Sequence, residues 1–121
     1  MSKRILVVDD QPDNRQIIRD LLAATDYELT EAEDGEQALA AVAKQRPDLI
    51  LMDIQLPIMD GYEATRRIKA DPASRSIPII AATSYALSGE EQKARAAGCD
   101  EYVSKPYSPR QLLVRIRQYL P

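Results

Sequence analysis

Short apolar runs that stop at an acid constrain this chain most. Ile5-Leu-Val-Val8 ends in Asp9-Asp10, and Leu49-Ile-Leu-Met52 ends in Asp53. Apolar runs of about four to six residues without polar alternation suit strands buried on both faces of a parallel sheet. Three further segments extend the series. Tyr27–Glu31 alternates as an edge strand does, Ile77 to Ala82 ends in Thr83, and Glu101–Ser104 ends in Lys105.

Helical patterns fill the intervals. Ile17, Ile18, Leu21 and Leu22 form an apolar stripe at helical spacing, and Ala38, Leu39, Val42 and Ala43 form another. A weaker stripe runs from Tyr62 to Ala70, and Leu112, Leu113, Ile116 and Leu120 mark the last. Cap signals agree. Ser88-Gly-Glu-Glu91 reads as a capping box with Gly98 as the closing glycine. Ser108 reads as an N-cap ahead of Pro109, with Gln111 at N3. Asp13 and Asp34 are expected to cap the first two helices. The segment from Asp71 to Ser76 is expected to be a loop.

A strand–helix unit repeated five times, at a spacing of roughly 20–25 residues, predicts an α/β fold. Such units build a parallel sheet with right-handed crossovers and helices on both faces. Five strands in a chain of 121 residues suggest the flavodoxin-like, doubly wound order 2-1-3-4-5, in one domain over residues 1–121.

In that order the first and third strands are neighbours. Sites of open α/β sheets form outside the carboxyl ends of strands, so Asp9, Asp10 and Asp53 converge there with Thr83 and Lys105. Three close carboxylates repel unless a cation or protons intervene. A hard divalent ion such as Mg²⁺ answers this with oxygen ligands and its own waters. Phosphoryl transfer fits the set, because it needs positioning and charge neutralisation more than covalent machinery. Asp53, on the central strand, is the best nucleophile. The acid pair is left for the metal, Lys105 for the phosphoryl charge, and Thr83 for a hydrogen bond to a phosphoryl oxygen.

Composition removes other chemistries. The chain has no histidine and a single cysteine, Cys99, which excludes zinc motifs, a histidine triad and an internal disulfide. A net charge of −3 gives no basic footprint for direct nucleic-acid binding. No apolar run approaches the roughly 18 residues of a membrane span, and the N-terminus does not read as a signal peptide, so a cytoplasmic location is expected.

Over nearly its whole length the chain resembles bacterial two-component response-regulator receiver domains. The matching segments are Ile5–Asp10, Asp48–Asp53, Leu56-Pro-Ile-Met-Asp-Gly61, Ile79–Thr83 and Tyr102-Val-Ser-Lys-Pro106. The resemblance implies that Asp53 is the phosphoacceptor, forming an acyl phosphate. It implies Mg²⁺ (or Mn²⁺) on Asp10, Asp53 and the backbone carbonyl of Gln55, with Asp9 acting through metal-bound water. Lys105 and Thr83 would hold the phosphoryl group. Tyr102 would be an aromatic switch that follows Thr83, and the Lys105–Pro106 peptide would be cis. Apart from the resemblance, Pro57 and Gly61 read as residues that only shape the loop after the third strand.

The implied partners are a sensor histidine kinase or a histidine phosphotransfer protein, docking near Asn14, Ile18 and Tyr107, and a downstream target protein. The output face would comprise Ser88–Gly98, Tyr102 and Arg110–Tyr119, spanning the fourth helix, fifth strand and fifth helix. That face could also pair two copies, although Arg110, Arg115 and Arg117 read as solubility residues. The chain is expected to be a single-domain regulator, with a fragment of a larger regulator or hybrid kinase as the alternative.

Rivals from other classes fit less well. A Mg²⁺-dependent aspartyl-phosphate phosphatase needs a second acid two residues after its nucleophile, and here Gln55 stands there. A flavin site would be repelled by Asp9, Asp10 and Asp13. A metal-binding structural protein would carry no transfer chemistry. Gln55 and Tyr85 lie two residues after Asp53 and Thr83, and neither is acidic. Slow autodephosphorylation, hours rather than seconds as an order of magnitude, and no enzyme turnover are therefore expected.

Overall fold

The structure, a computed structural model, describes residues 2–83, 89–105 and 108–121. The expectations placed on Tyr85, Ser88, Pro106 and Tyr107 lie outside these residues.

The strands are β1 (Arg4–Val8), β2 (Glu28–Ala32), β3 (Leu49–Asp53), β4 (Ile79–Thr83) and β5 (Glu101–Ser104). The helices are α1 (Pro12–Ala23), α2 (Gly35–Lys44), α3 (Gly61–Ala70), α4 (Glu90–Ala97) and α5 (Pro109–Tyr119). All pairings are parallel, and the strand order is β2-β1-β3-β4-β5, as expected.

Strand side chains alternate between the two faces. Leu6, Val8, Ile50, Met52, Ile79 and Ala81 join Ala38 of α2, Ala64 and Ile68 of α3, and Ala94 of α4. Ile5, Val7, Leu49, Leu51, Ile80 and Ala82 join Ile18 and Leu22 of α1 and Leu112 and Ile116 of α5. Both faces of β1, β3 and β4 are therefore covered, which is why their sequences do not alternate.

Several boundaries differ from the sequence reading. β2 begins one residue later than expected, because the Tyr27 amide donates back to Thr25 Oγ1 at 3.2 Å and Glu28 is the first to donate across to the β1 side, at the Lys3 carbonyl. Ile77 is buried but precedes β4, where Pro78 has no amide to donate. Asp71–Ser76 is a loop, as expected, and it is closed by turns in which the amides of Ser74 and Arg75 donate to the Asp71 carbonyl.

The caps repeat this mixture. Asp34 and Ser108 accept from the amides of Gln37 and Gln111, as expected. Asp13 does not cap α1. Gln11 holds the N-cap position, Pro12 opens the helix and Asp13 lies in its first turn. Asp60 caps α3 by accepting from the Glu63 amide at 2.9 Å. The α4 helix starts after Gly89 with no side-chain cap and closes on Gly98, whose φ of 114° favours glycine. The Tyr62 hydroxyl donates to Glu90, tying α3 to the first turn of α4. Cys99 is buried, which pushes its thiol up.

Candidate functional site

The carboxyl ends of β1, β3 and β4 assemble the site. Val8 pairs with Met52 and Asp53 pairs with Ala82, so the residues that end the three strands lie side by side. Carboxylate oxygens of Asp9, Asp10 and Asp53 lie within 4.8 Å of one another. Asp9 and Asp53 are buried, at 4% and 5% exposure, and Asp10 is partly open.

Each acid is held differently. One Asp9 oxygen accepts from the Gln11 amide at 2.9 Å, with Asn14 Nδ2 at 3.5 Å. The other accepts from Lys105 Nζ at 2.7 Å. Asp53 accepts from the Gln55 amide at 3.2 Å and faces Lys105 Nζ at 3.3 Å. The Asp10 carboxylate carries no hydrogen bond among the described residues. This set suits a hard divalent cation: three carboxylates of which one is unsatisfied and open. The Gln55 carbonyl likewise accepts no hydrogen bond among the described residues, which leaves it free to act as a neutral ligand.

Burial makes Asp53 harder to ionise. Lys105 opposes that rise, the charge of Asp9 adds to it, and the Gln55 amide opposes it. Burial also disfavours the Lys105 ammonium, yet the Asp9 hydrogen bond and the two acid charges outweigh it and raise its pKa. Lys105 stands 2.7 Å from Asp9 and 3.3 Å from Asp53, and at the longer range it does not offset the burial of Asp53.

Thr83 is fully buried at the end of β4, and its carbonyl accepts from the Lys105 amide at 2.7 Å. Its hydroxyl meets the Gln55 side chain: Nε2 donates to it at 2.8 Å and it donates to Oε1 at 3.0 Å. Tyr102 pairs in register with Ala81 and packs, half-buried, beside the α2–α4 core.

One expected docking residue is corrected. Ile18 is 1% exposed and packs in the core, so it cannot meet a partner. The large apolar residue that α1 exposes is Ile17, at 47%. The two are adjacent on a helix, and the 100° between them puts one inside and one outside. Asn14 turns toward Asp9. Of the three late arginines, Arg115 is taken up by Glu101 at 3.1 Å.

Other contributors escaped the sequence reading. Arg15 donates to the Asp9 carbonyl at 2.8 Å while pairing with Glu31, and spacing alone carries no signal for this. Gly61, expected to shape the loop after β3, packs against the end of that strand, where a Cβ would stand 2.3 Å from the Asp53 carbonyl. The pattern Asp60-Gly-Tyr-Glu63 did carry a readable cap signal.

Known proteins share these features. The response regulator receiver domain family matches residues 5–117. The polar-differentiation response regulator DivK of Brucella anthropi is 42% identical over 120 residues, covering 99% of this chain and 98% of its own. The receiver domain of sensor histidine kinase PA1611 from Pseudomonas aeruginosa superposes with a TM-score of 0.91 at 38% identity, over 99% of this chain and 98% of that one. That structure has a magnesium ion coordinated in its active-site cleft. The chemotaxis response regulator CheY4 of Vibrio cholerae superposes with a TM-score of 0.91 at 29% identity, over 98% of this chain and 99% of its own. An acid-lined end of a five-stranded parallel sheet, with a lysine bridging two of the acids, thus occurs in a chain that belongs to the response regulator receiver domains.

Proposed function

We propose that this receiver, read as one domain over residues 1–121, accepts a phosphoryl group on Asp53 and signals by a change of surface. The observation that supports it most is the buried Asp53 carboxylate beside Lys105, with Asp9 and Asp10 within 4.8 Å. A sensor histidine kinase or a histidine phosphotransfer protein is the donor. An Asp53 oxygen attacks phosphorus, the O–P bond forms as the P–N bond breaks, and the imidazole leaves with a proton from solvent.

Asp10, Asp53 and the Gln55 carbonyl would hold Mg²⁺, or Mn²⁺, with Asp9 supporting through bound water. Bound there, the ion neutralises charge on the phosphoryl oxygens. Lys105 supplies a second positive charge, and the Thr83 hydroxyl a hydrogen bond. Tyr102 follows Thr83 and alters the face of α4, β5 and α5, which a downstream target protein, or a second copy, reads. Kinase docking involves α1 through the exposed Ile17. Tyr85 and Tyr107 belong to this reading by sequence alone.

The acyl phosphate is long-lived, because Gln55 cannot act as a base for attacking water. The protein therefore acts as a slow timer rather than a turnover enzyme. Among the described residues no helix is long and apolar enough to cross a membrane, which accords with a cytoplasmic site of action.

Acetyl phosphate with Mg²⁺ tests the proposal by mass spectrometry. One stable phosphoryl addition, lost in Asp53→Asn, is expected. Continuous phosphate release at high turnover would point instead to a phosphatase.

A further inference from the structure

We infer that the Gln55 side chain is a latch that holds the Thr83 hydroxyl away from the phosphoryl position until Asp53 is modified. The inference rests on the receiver reading and assigns that site a positioning residue.

Gln55 touches both ends of the switch. Its backbone amide donates to Asp53 Oδ1 at 3.2 Å. Its side chain takes the Thr83 hydroxyl from two sides, as donor at 2.8 Å and as acceptor at 3.0 Å. Thr83 is fully buried, so its hydroxyl hydrogen has few directions in which to find an acceptor. A hydroxyl has a single hydrogen. While that hydrogen points to Gln55 Oε1, it is not offered to an oxygen on Asp53.

Phosphorylation changes the competition. A phosphoryl oxygen is charged, and hydrogen bonds to charged acceptors are roughly twice as strong as neutral ones. The Thr83 hydrogen therefore leaves the amide for the phosphoryl oxygen. The resting preference is set by the neutral bond and the active preference by the charged one, which makes a two-state element. Gln55 fits the resting role because its amide both donates and accepts. A glutamate could not donate, and an alanine could not reach.

Beryllofluoride with Mg²⁺, whose fluorines stand in for phosphoryl oxygens, gives the test by calorimetry on the full chain. Gln55→Met keeps side-chain length and removes both polar contacts. It is expected to bind beryllofluoride about fivefold more tightly than wild type, the worth of one neutral hydrogen bond no longer broken on binding. In a Thr83→Ala background the same substitution is expected to change nothing. Gln55→Leu serves if the methionine variant folds poorly. Unchanged or weaker binding in the Thr83 background, or an equal gain without Thr83, overturns the latch alone. No binding by wild type, or equal binding by Asp53→Asn, overturns the receiver reading and the latch with it.

Discussion

The Lys105 ammonium stands 2.7 Å from the Asp9 carboxylate, a contact between residues 96 apart in the chain. It is the internal counter-charge of the acid cluster, and a divalent ion at the same acids must share that charge. Lys105→Met is therefore expected to tighten Mg²⁺ binding by about tenfold, since two cations at close range repel by more than 1 kcal/mol at a protein surface. The same variant should take phosphate from acetyl phosphate about a hundredfold more slowly, as when one transition-state donor is lost. Calorimetric titration and mass spectrometry measure the two. Weaker Mg²⁺ binding would contradict the assignment.

Gly61 lets α3 start against the backbone of the phosphoacceptor strand. A Cβ there would meet the Asp53 carbonyl at 2.3 Å and the Ile54 Cα at 2.8 Å. Gly61→Ala is expected to cost about 1–3 kcal/mol, the usual range for overpacking. Because the strain falls on Asp53, phosphorylation should slow as well. Urea unfolding and the acetyl phosphate reaction report these separately.

Ile58, in the loop between β3 and α3, carries a φ of 69° and is 76% exposed. A branched side chain in the left-handed region costs roughly 1–2 kcal/mol, and this one recovers little by packing. Ile58→Asn should raise stability by about 1 kcal/mol, seen as a higher urea midpoint at unchanged slope. A lower midpoint would show that the side chain has a stabilising contact.

Glu31 ties the edge strand β2 to α1 through Arg15 and Arg19. The Arg19 hydrogen bond leads in holding its carboxyl below the ordinary value of 4.5, against burial and with help from Arg15. A depressed folded pKa stabilises the fold above the unfolded pKa, and the benefit is lost as pH falls through the folded one. Glu31→Gln should therefore lose less stability than wild type between about pH 5 and about pH 3. Because Glu31 and Arg19 are partly exposed, salt should shrink the difference. Parallel acid limbs in the two proteins would exclude this contribution.

The α/β architecture was legible because buried parallel strands cannot alternate, and β1, β3 and β4 do not. Asp34, Gly98 and Ser108 were legible because caps act over three or four residues. Asp13 misled because Pro12 sets the first helical position and moves the cap to Gln11. Ile17 and Ile18 both fit a helical stripe, and only packing against β1 and α5 decided which was inside.

The site divides along the same line. Which residues end the strands can be read along the chain, and with the strand order this places Asp9, Asp10, Asp53, Thr83 and Lys105 at one end of the sheet. Strand periodicity is local, so the chain states it openly. The folded arrangement then brings Lys105 nearer to Asp9 than to Asp53, Arg15 onto the Asp9 carbonyl and Gln55 onto the Thr83 hydroxyl. The Lys105–Asp9 and Gln55–Thr83 contacts join residues 96 and 28 apart, and the packing of the sheet and its helices sets them.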